Sequence, residues 1–223
     1  MLSSVLDLLI PPRCPLCGRL RSASGAGRGF CPACEATLPR VPAGWVVPLG
    51  PVVCAAPFYY EGAAREALHR FKFHGVRAAA RPLADAMTVA AGALPPGLWD
   101  AVTWVPVSPR RRRERGYDHA FLLARETAAR LGLGRPVRTL RKVRHTVSQN
   151  TLAGDTAARA ENVRGAFAAD AAARGRRWLL VDDILTSGAT LRACAQALCD
   201  AGAGSVFCLT AAKARRLRET RWS

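Results

Sequence analysis

Lysine is nearly missing from this chain. Of 33 basic residues in 223, only Lys72, Lys142 and Lys213 are lysine, and the other 30 are arginine. Acidic residues are few as well, 16 in all, which leaves a formal charge of +17. Part of the arginine skew fits a genome that favours Arg and Ala codons, yet a surplus this large still creates a positive field that draws phosphates and nucleic acid. The chain also lacks any apolar run near the ~20 residues of a membrane-spanning helix. Residues 1–10 have no basic start, carry Asp7 and run into Pro11-Pro12, so they read as a short amphipathic helix rather than a signal peptide. A cytoplasmic location is the expectation. No internal repeat is present, and with half the residues apolar the chain can build a sizeable core. Aromatics are only 7%. The basic-aromatic pairs Phe71-Lys72-Phe73 and Arg221-Trp222 therefore give only slight support to base stacking.

Cysteine, by contrast, is plentiful and patterned. Cys14-Pro-Leu-Cys17 and Cys31-Pro-Ala-Cys34 are two C-x₂-C knuckles separated by thirteen residues. Each knuckle puts two thiolates on one tight turn, and two knuckles make a four-thiolate zinc site. All four positions are filled by protein, so the expected zinc is structural. Disulfides would need an oxidising compartment. Cys54, Cys194, Cys199 and Cys208 fall on apolar patterns and are expected as buried thiols.

The centre of the chain is Leu179-Leu180-Val181-Asp182-Asp183-Ile184-Leu185-Thr186-Ser187-Gly188-Ala189-Thr190-Leu191. Trp178 to Val181 is long enough for one buried strand. Leu191, Cys194, Ala195 and Leu198 then recur at helical spacing. Between strand and helix, Thr186, Ser187, Gly188, Ala189 and Thr190 form a small hydroxyl-rich turn. A helix start offers unpaired N–H groups and a positive dipole end, which suits a phosphate. Asp182 and Asp183 are placed to hold ribose hydroxyls or a Mg²⁺ carried by a polyphosphate. The plainer alternative is an N-capped helix with Thr186 or Ser187 as cap. No Lys-Ser/Thr pair follows Gly188, which excludes a Walker phosphate loop. The stretch resembles the phosphoribosyl-pyrophosphate (PRPP) signature of type I phosphoribosyltransferases.

Around it, 39–51 reads as a Pro- and Gly-punctuated linker. Val52 to Tyr60 reads as a strand bent at Pro57, followed by helices over 63–71 and 76–91. His69 and His74 read as surface or packing residues. Asp100 to Val107 is a second buried strand, running into Ser108-Pro109-Arg110-Arg111-Arg112-Arg113-Glu114-Arg115. A basic loop at a strand's carboxyl end is well placed to capture anions, because α/β sheets bind ligands there. A helix over 120–131, with Leu122, Leu123, Ala129 and Leu131 as candidate core, and a short strand near 136–140 come next. The polar stretch 141–164, with Arg141, Lys142 and Arg144, reads as a basic lid. A brief strand near 165–167, a strand over 205–210 and a basic tail over 213–221 complete the chain.

Taken with Phe71-Lys72-Phe73-His74-Gly75, Arg115-Gly116-Tyr117-Asp118-His119, Arg144-His145-Thr146 and Glu161-Asn162-Val163-Arg164-Gly165-Ala166-Phe167, the zinc knuckles and the PRPP signature resemble the ComF family over almost the whole chain. Members usually carry Arg-Gly-Phe-Asn-Gln where this chain has Arg-Gly-Tyr-Asp-His. The resemblance implies an α/β type I phosphoribosyltransferase fold, a mainly parallel doubly wound sheet, behind a small N-terminal zinc ribbon or knuckle module. The expected division is 1–50 for the N-terminal helix, zinc module and linker, and 51–223 for the phosphoribosyltransferase-like domain. It further implies that Asp182 and Asp183 hold the ribose hydroxyls, 186–190 the 5′-phosphate, and Ser108, Pro109 and Arg110 the pyrophosphate. The implied role is in competence-associated uptake of single-stranded DNA, with PRPP, Mg²⁺, single-stranded DNA and other uptake machinery as partners.

If the protein is an enzyme, a nucleophilic nitrogen displaces pyrophosphate from C1 of PRPP, and Mg²⁺ and arginines stabilise the leaving group. Thr186 cannot be a general base at neutral pH, so Asp118 and His119 are the nearest candidates. Three functions fit: a PRPP-binding accessory protein for incoming DNA, a phosphoribosyltransferase of nucleotide or base salvage, and a PRPP-sensing regulator.

Overall fold

The computed structural model describes residues 13–20, 29–94, 97, 99–144 and 161–221. The expected helix at 1–10, most of the lid (145–160) and Trp222 lie outside the described residues. The elements are α1 (Pro32–Ala36), β1 (Trp45–Leu49), β2 (Val52–Ala55), β3 (Phe58–Tyr59), α2 (Gly62–Phe73), α3 (Ala80–Ala91), β4 (Ala101–Trp104), α4 (Pro109–Arg115), α5 (His119–Arg130), β5 (Leu140–Lys142), β6 (Phe167–Ala169), β7 (Arg177–Leu185), α6 (Ala189–Asp200), β8 (Ser205–Lys213) and β9 (Thr220–Arg221). Short 3₁₀ turns at Arg77–Ala79 and Ala171–Ala173 join them.

The main sheet runs β4-β7-β8-β2-β1-β9, with β3 also on β8. Pairs β4–β7, β7–β8, β2–β8 and β3–β8 are parallel, and β1 pairs antiparallel with β2 and β9. β7 is therefore an interior strand, paired on both sides, which explains its apolar run: Trp178 to Val181 are fully buried between two helical layers. The pleat sends Leu179 and Val181 to one core, with Leu68 and Phe71 of α2 and Leu123 of α5. It sends Trp178 and Leu180 to the other core, with Leu191, Cys194 and Leu198 of α6. The apolar faces expected for α2 (Ala64, Ala67, Leu68, Phe71) and α6 are the buried ones. His69 and His74 are exposed, as expected.

Several expectations need correction. Trp45–Leu49, inside the supposed linker 39–51, is a strand in register with β2, from Val46 opposite Ala55 to Leu49 opposite Val52. Val46, Val47 and Leu49 are buried there, and Pro48 alone of the four is exposed. The strand Val52–Tyr60 does not merely bend but breaks at Ala56-Pro57 into β2 and β3. The arginine stretch is not a loop but the helix α4, since Ser108 caps it by accepting from the Arg111 amide and Pro109 fills its first turn. The strand near 136–140 lies later, at Leu140–Lys142, and takes Arg141 and Lys142 out of the lid to pair with β6. The helix over 76–91 is continuous only from Ala80. In α5, Leu123 is buried but Ala129 is exposed. Cys54, Cys194 and Cys208 are buried thiols, whereas Cys199 is exposed at the end of α6.

The tail is not simply basic and solvated. Lys213 ends β8 with 1% exposure, its Nζ 2.7 Å from Glu219 and donating to the Leu217 carbonyl at 2.7 Å. Its ammonium also lies 4.9 Å from the Tyr59 ring centre. Removing one partner of a buried pair leaves a desolvated charge, whereas replacing the charge by an apolar group of like volume does not. Glu219→Ala is expected to cost about 3 kcal/mol in urea unfolding, and Lys213→Met much less.

Candidate functional site

β7 outlasts its neighbour. β4 ends with Trp104 opposite Val181, and after Val105 donates its amide to the Val181 carbonyl the chain turns away into α4. The carboxyl end of β7 thus forms one wall of a cleft of about 540 Å³, lined among others by Asp182, Asp183, Thr186, Thr190, Arg111 and Arg115. The strand-end position expected for anion capture is where the two motifs meet. Asp182 and Asp183 belong to the strand itself rather than to the turn after it.

Being adjacent in a strand, the two acids differ. Asp183 is 5% exposed, with Lys72 Nζ of α2 at 2.8 Å and His119 Nε2 of α5 at 2.5 Å from its Oδ2. Burial alone raises its pKa, but Lys72 and His119 outweigh that and hold it well below the usual carboxylate range. Asp182 is only partly buried by surface area, and its Oδ1 accepts from the Asp183 amide at 2.8 Å. Burial and the neighbouring Asp183 charge push its pKa well up. The cleft therefore offers one carboxylate held charged and, beside it, one whose pKa is pushed up by burial and by its neighbour.

The signature turn is built for close approach. Gly188 has φ +74, and a Cβ there would lie 2.6 Å from Leu49 Cδ2 of β1. Glycine is favoured on both counts. Gly188 itself, not Thr186 or Ser187, is the N-cap residue of α6, and Ser187 Oγ accepts weakly from the Ala189 amide at 3.4 Å. The start of α6 thus presents backbone donors beside Thr186 and Thr190 at the cleft.

α4 sorts its arginines by helical angle. Arg111 and Arg115, four apart, line the cleft together with Ser108 and Glu114. Pro109, Arg110, Arg112 and Arg113 are exposed and not among the lining residues, and Arg110 pairs with Glu114 at 2.7 Å. Lys142 also lines the cleft, where burial and then the Arg111 charge lower its pKa. Arg141 is exposed, and Arg144 is spent on structure, donating to the carbonyls of Glu161, Asn162 and Arg164 at 3.4, 3.2 and 2.6 Å.

Asp118 and His119 are both engaged. Asp118 Oδ1 caps α5 by accepting from the Phe121 amide at 3.0 Å, and its Oδ2 accepts from the Trp104 indole at 3.1 Å. His119 Nδ1 lies 2.9 Å from an Arg115 nitrogen. A guanidinium only donates, so the ring nitrogen that Arg115 meets accepts, while Nε2 faces Asp183 Oδ2 at 2.5 Å as an ion-pair contact. Arg115, His119 and Asp183 thus stand in line across three elements, joined by a hydrogen bond and an ion-pair contact. Sequence reasoning missed Lys72 as an ion-pair partner, and it missed Phe73, Glu114 and Phe167 as cleft residues. The rarity of lysine was the available signal for Lys72.

In the N-terminal module, the four Sγ atoms of Cys14, Cys17, Cys31 and Cys34 lie within 4.8 Å of one another. Four thiolates at ~2.3 Å from one Zn²⁺ set their sulfurs about 3.8 Å apart. Cys17 and Cys31 Sγ stand 3.7 Å apart, which fits. Burial raises the Cys14 pKa, but the amides of Cys17, Cys31 and Leu16 bring it down to about 6. The module's Leu16 and Phe30 join the α2 core, and Arg70 of α2 donates to the Leu16 carbonyl.

Comparisons with known proteins meet both halves of this geometry. Residues 5–66 match the double zinc ribbon domain and residues 118–221 the phosphoribosyl transferase domain. The two domains in this order support a ComF-type assignment. This protein is 33% identical over 112 residues to DNA utilization protein YhgH of Salmonella typhi, 49% of this chain and 48% of that one. To the YhgH of Escherichia coli K12 it is 30% identical over the same length and coverage. To Competence protein F of Haemophilus influenzae it is 32% identical over 95 residues, 41% of each chain. The chain thus spans about half the length of these relatives. A crystal structure of TT1426 from Thermus thermophilus aligns with 59% of this chain and 71% of its own, at TM-score 0.32 and 23% identity. The chain carries a type I phosphoribosyltransferase domain behind a zinc ribbon whose four cysteines fit a structural zinc site. No described helix is long and apolar enough to cross a membrane.

A small module with few core residues draws its folding energy from its metal. Elemental analysis is expected to find about one Zn per chain. Cys31→Ser should lose it and leave the module open to protease, while the larger domain keeps its melting transition.

Proposed function

We propose that this protein binds PRPP with Mg²⁺ in the cleft and serves the handling of single-stranded DNA, in a cytoplasmic setting. The observation that carries the reading is the convergence on one cleft of a carboxylate pair, a helix-start phosphate cradle and two inward arginines. In this assignment the turn 186–190 receives the 5′-phosphate, Asp182 and Asp183 the ribose hydroxyls, and Ser108 with Arg111 the pyrophosphate. Mg²⁺, carried by the pyrophosphate, would neutralise part of its charge. Asp183 comes to the task already charged and oriented by Lys72 and His119. The DNA side of the reading draws on the printed names of the relatives and on the basic charge.

The domain boundary is proposed with it: zinc module first, transferase-like domain from the β1–β2 hairpin onward. A second reading, an active phosphoribosyltransferase, is favoured by the volume of the cleft and by the inward Arg115. In it a nitrogen nucleophile forms the N–C1 bond as the C1–O bond breaks, pyrophosphate leaves with the electron pair, and the proton passes to solvent or a base. Asp118 and His119 support such a reading poorly, since each is held by structural partners.

Replacing both acids (Asp182→Asn with Asp183→Asn) should weaken Mg²⁺-PRPP binding at least ~100-fold by calorimetry, from two charge-assisted hydrogen bonds at ~1.5–3 kcal/mol each. Wild-type affinity in the double mutant, with the fold intact by circular dichroism, would put the ligand elsewhere.

The outward arginines lead to a separate expectation. Single-stranded DNA bound along Arg110, Arg112 and Arg113 should show log K falling with log salt, and converting all three to alanine should flatten the slope by about 2, at ~0.7 per phosphate contact. PRPP should not compete, because the cleft lies on the other face of α4. Anisotropy at low salt that detects no oligonucleotide binding would leave the DNA role unsupported.

A further inference from the structure

Arg70, Phe71 and Lys72 follow one another in the last turn of α2, and the turn sends them to three different places. Successive residues of a helix point about 100° apart, so Arg70 and Lys72 leave it on nearly opposite sides. Phe71, between them, is fully buried in the core. Lys72 reaches the cleft, its Nζ 2.8 Å from Asp183 Oδ2. Arg70 reaches the zinc module, where its guanidinium donates to the Leu16 carbonyl. Leu16 stands inside the first knuckle, between Cys14 and Cys17. Its amide helps to hold the Cys14 sulfur while its carbonyl takes Arg70. Packing follows the same line. Cys14 and Leu16 share a buried cluster with Leu68 and Phe71 of α2, and Cys31 and Cys34 pack against it.

Zinc ligation fixes that knuckle. Four thiolates on one metal set the places of Cys14 and Cys17, and with them the direction of the carbonyl between the two. Without metal a small module of this kind has little folding energy of its own, so the acceptor on which Arg70 is anchored is no longer held. The anchored turn is also a helix end, and helix ends fray more readily than helix middles. Here the His74 amide closes the turn by donating to the Arg70 carbonyl at 3.0 Å, and Gly75, with φ +66, leads the chain away. We propose that the zinc ribbon regulates the cleft: metal binding clamps the last turn of α2 through Arg70 and so seats Lys72 on Asp183. The element that both sites bias is this turn, which is either seated on Leu16 and Asp183 together or withdrawn from both. Zinc and a pentose phosphate then bind with positive cooperativity, each tightening the other by the same factor. The proposal rests on reading the cleft as a pentose-phosphate site, and it adds the regulation of that site.

The test uses the full chain and ribose 5-phosphate, which has no pyrophosphate to carry Mg²⁺, so a zinc chelator leaves the ligand untouched. Calorimetry should show the zinc-loaded protein binding it about 5- to 150-fold more tightly than the zinc-depleted protein, the usual range of coupling between two sites. In the reverse direction, saturating ribose 5-phosphate should raise the zinc affinity by the same factor, read by competition with a chromogenic chelator. Arg70→Met keeps an apolar stem and removes the donor. It should still hold about one Zn per chain, yet bind ribose 5-phosphate as weakly as the zinc-depleted wild type and lose most of the coupling in both directions. Equal affinities with and without zinc, or undiminished coupling in Arg70→Met, would overturn the proposal and leave the cleft assignment standing. If the zinc-depleted chain unfolds by circular dichroism, the two zinc-loaded proteins decide: equal ribose 5-phosphate affinity in wild type and Arg70→Met overturns the proposal. Failure of ribose 5-phosphate to bind the zinc-loaded wild type would overturn the cleft assignment and the proposal with it.

Discussion

A buried carboxylate with two cationic or hydrogen-bonding neighbours organises this molecule. Asp183 is taken from water near the carboxyl end of β7 and is kept charged by Lys72 and His119. An isolated charge in that position would be several kcal/mol too costly, so each partner is obligatory. The three side chains come from β7, α2 and α5, and Arg115 of α4 joins through His119. One cluster therefore fixes the mutual placement of the strand end, the helix that carries Phe73 and the helix that carries the arginines. The site's geometry and the fold's stability share the same bonds.

The second organising constraint is steric. Leu49 of β1 packs closely on Gly188, whose φ of +74 favours glycine, so a side chain there would be strained and would have to displace the Leu49 tip. The phosphate cradle is shaped from below by a strand that the sequence disguises as a linker. Pro48 and Gly50 look like punctuation, but Pro48 is an exposed position within the strand and Gly50 turns the hairpin with φ +76. Proline and glycine signal turns only where pairing does not override them, and here the hairpin partner Val52–Ala55 decides.

What was legible in the sequence was whatever repeats at a fixed spacing. The cysteine knuckles, the apolar run Trp178–Val181 and the helical faces of α2 and α6 all stand where their periodicity puts them. What was not legible depends on direction. The run Arg110–Arg113 gave charge without orientation, and only helix formation after Ser108-Pro109 reveals that Arg111 and Arg115 turn inward while the others turn out. Asp182 and Asp183 look equivalent as letters, yet the pleat gives them opposite surroundings and opposite pKa directions. The lysines carried more information than their number suggested. In a chain that uses arginine for surface charge, Lys72 and Lys213 each end in a partly or wholly buried ion pair, and Lys142 lines the cleft. A compact ammonium on a flexible stem fits a narrow pocket better than a planar guanidinium.

The central claim is that the end of β7 and the start of α6 form a pentose-phosphate site aimed by the Asp183 cluster. A crystal structure of the zinc-loaded protein with ribose 5-phosphate tests it most directly. The account predicts the phosphate within ~2.7–3.2 Å of backbone N–H groups in the 187–190 turn, with the pentose hydroxyls toward Asp182 and Asp183. A phosphate found on Arg110, Arg112 and Arg113 at the outer face of α4, with the turn empty, would contradict it.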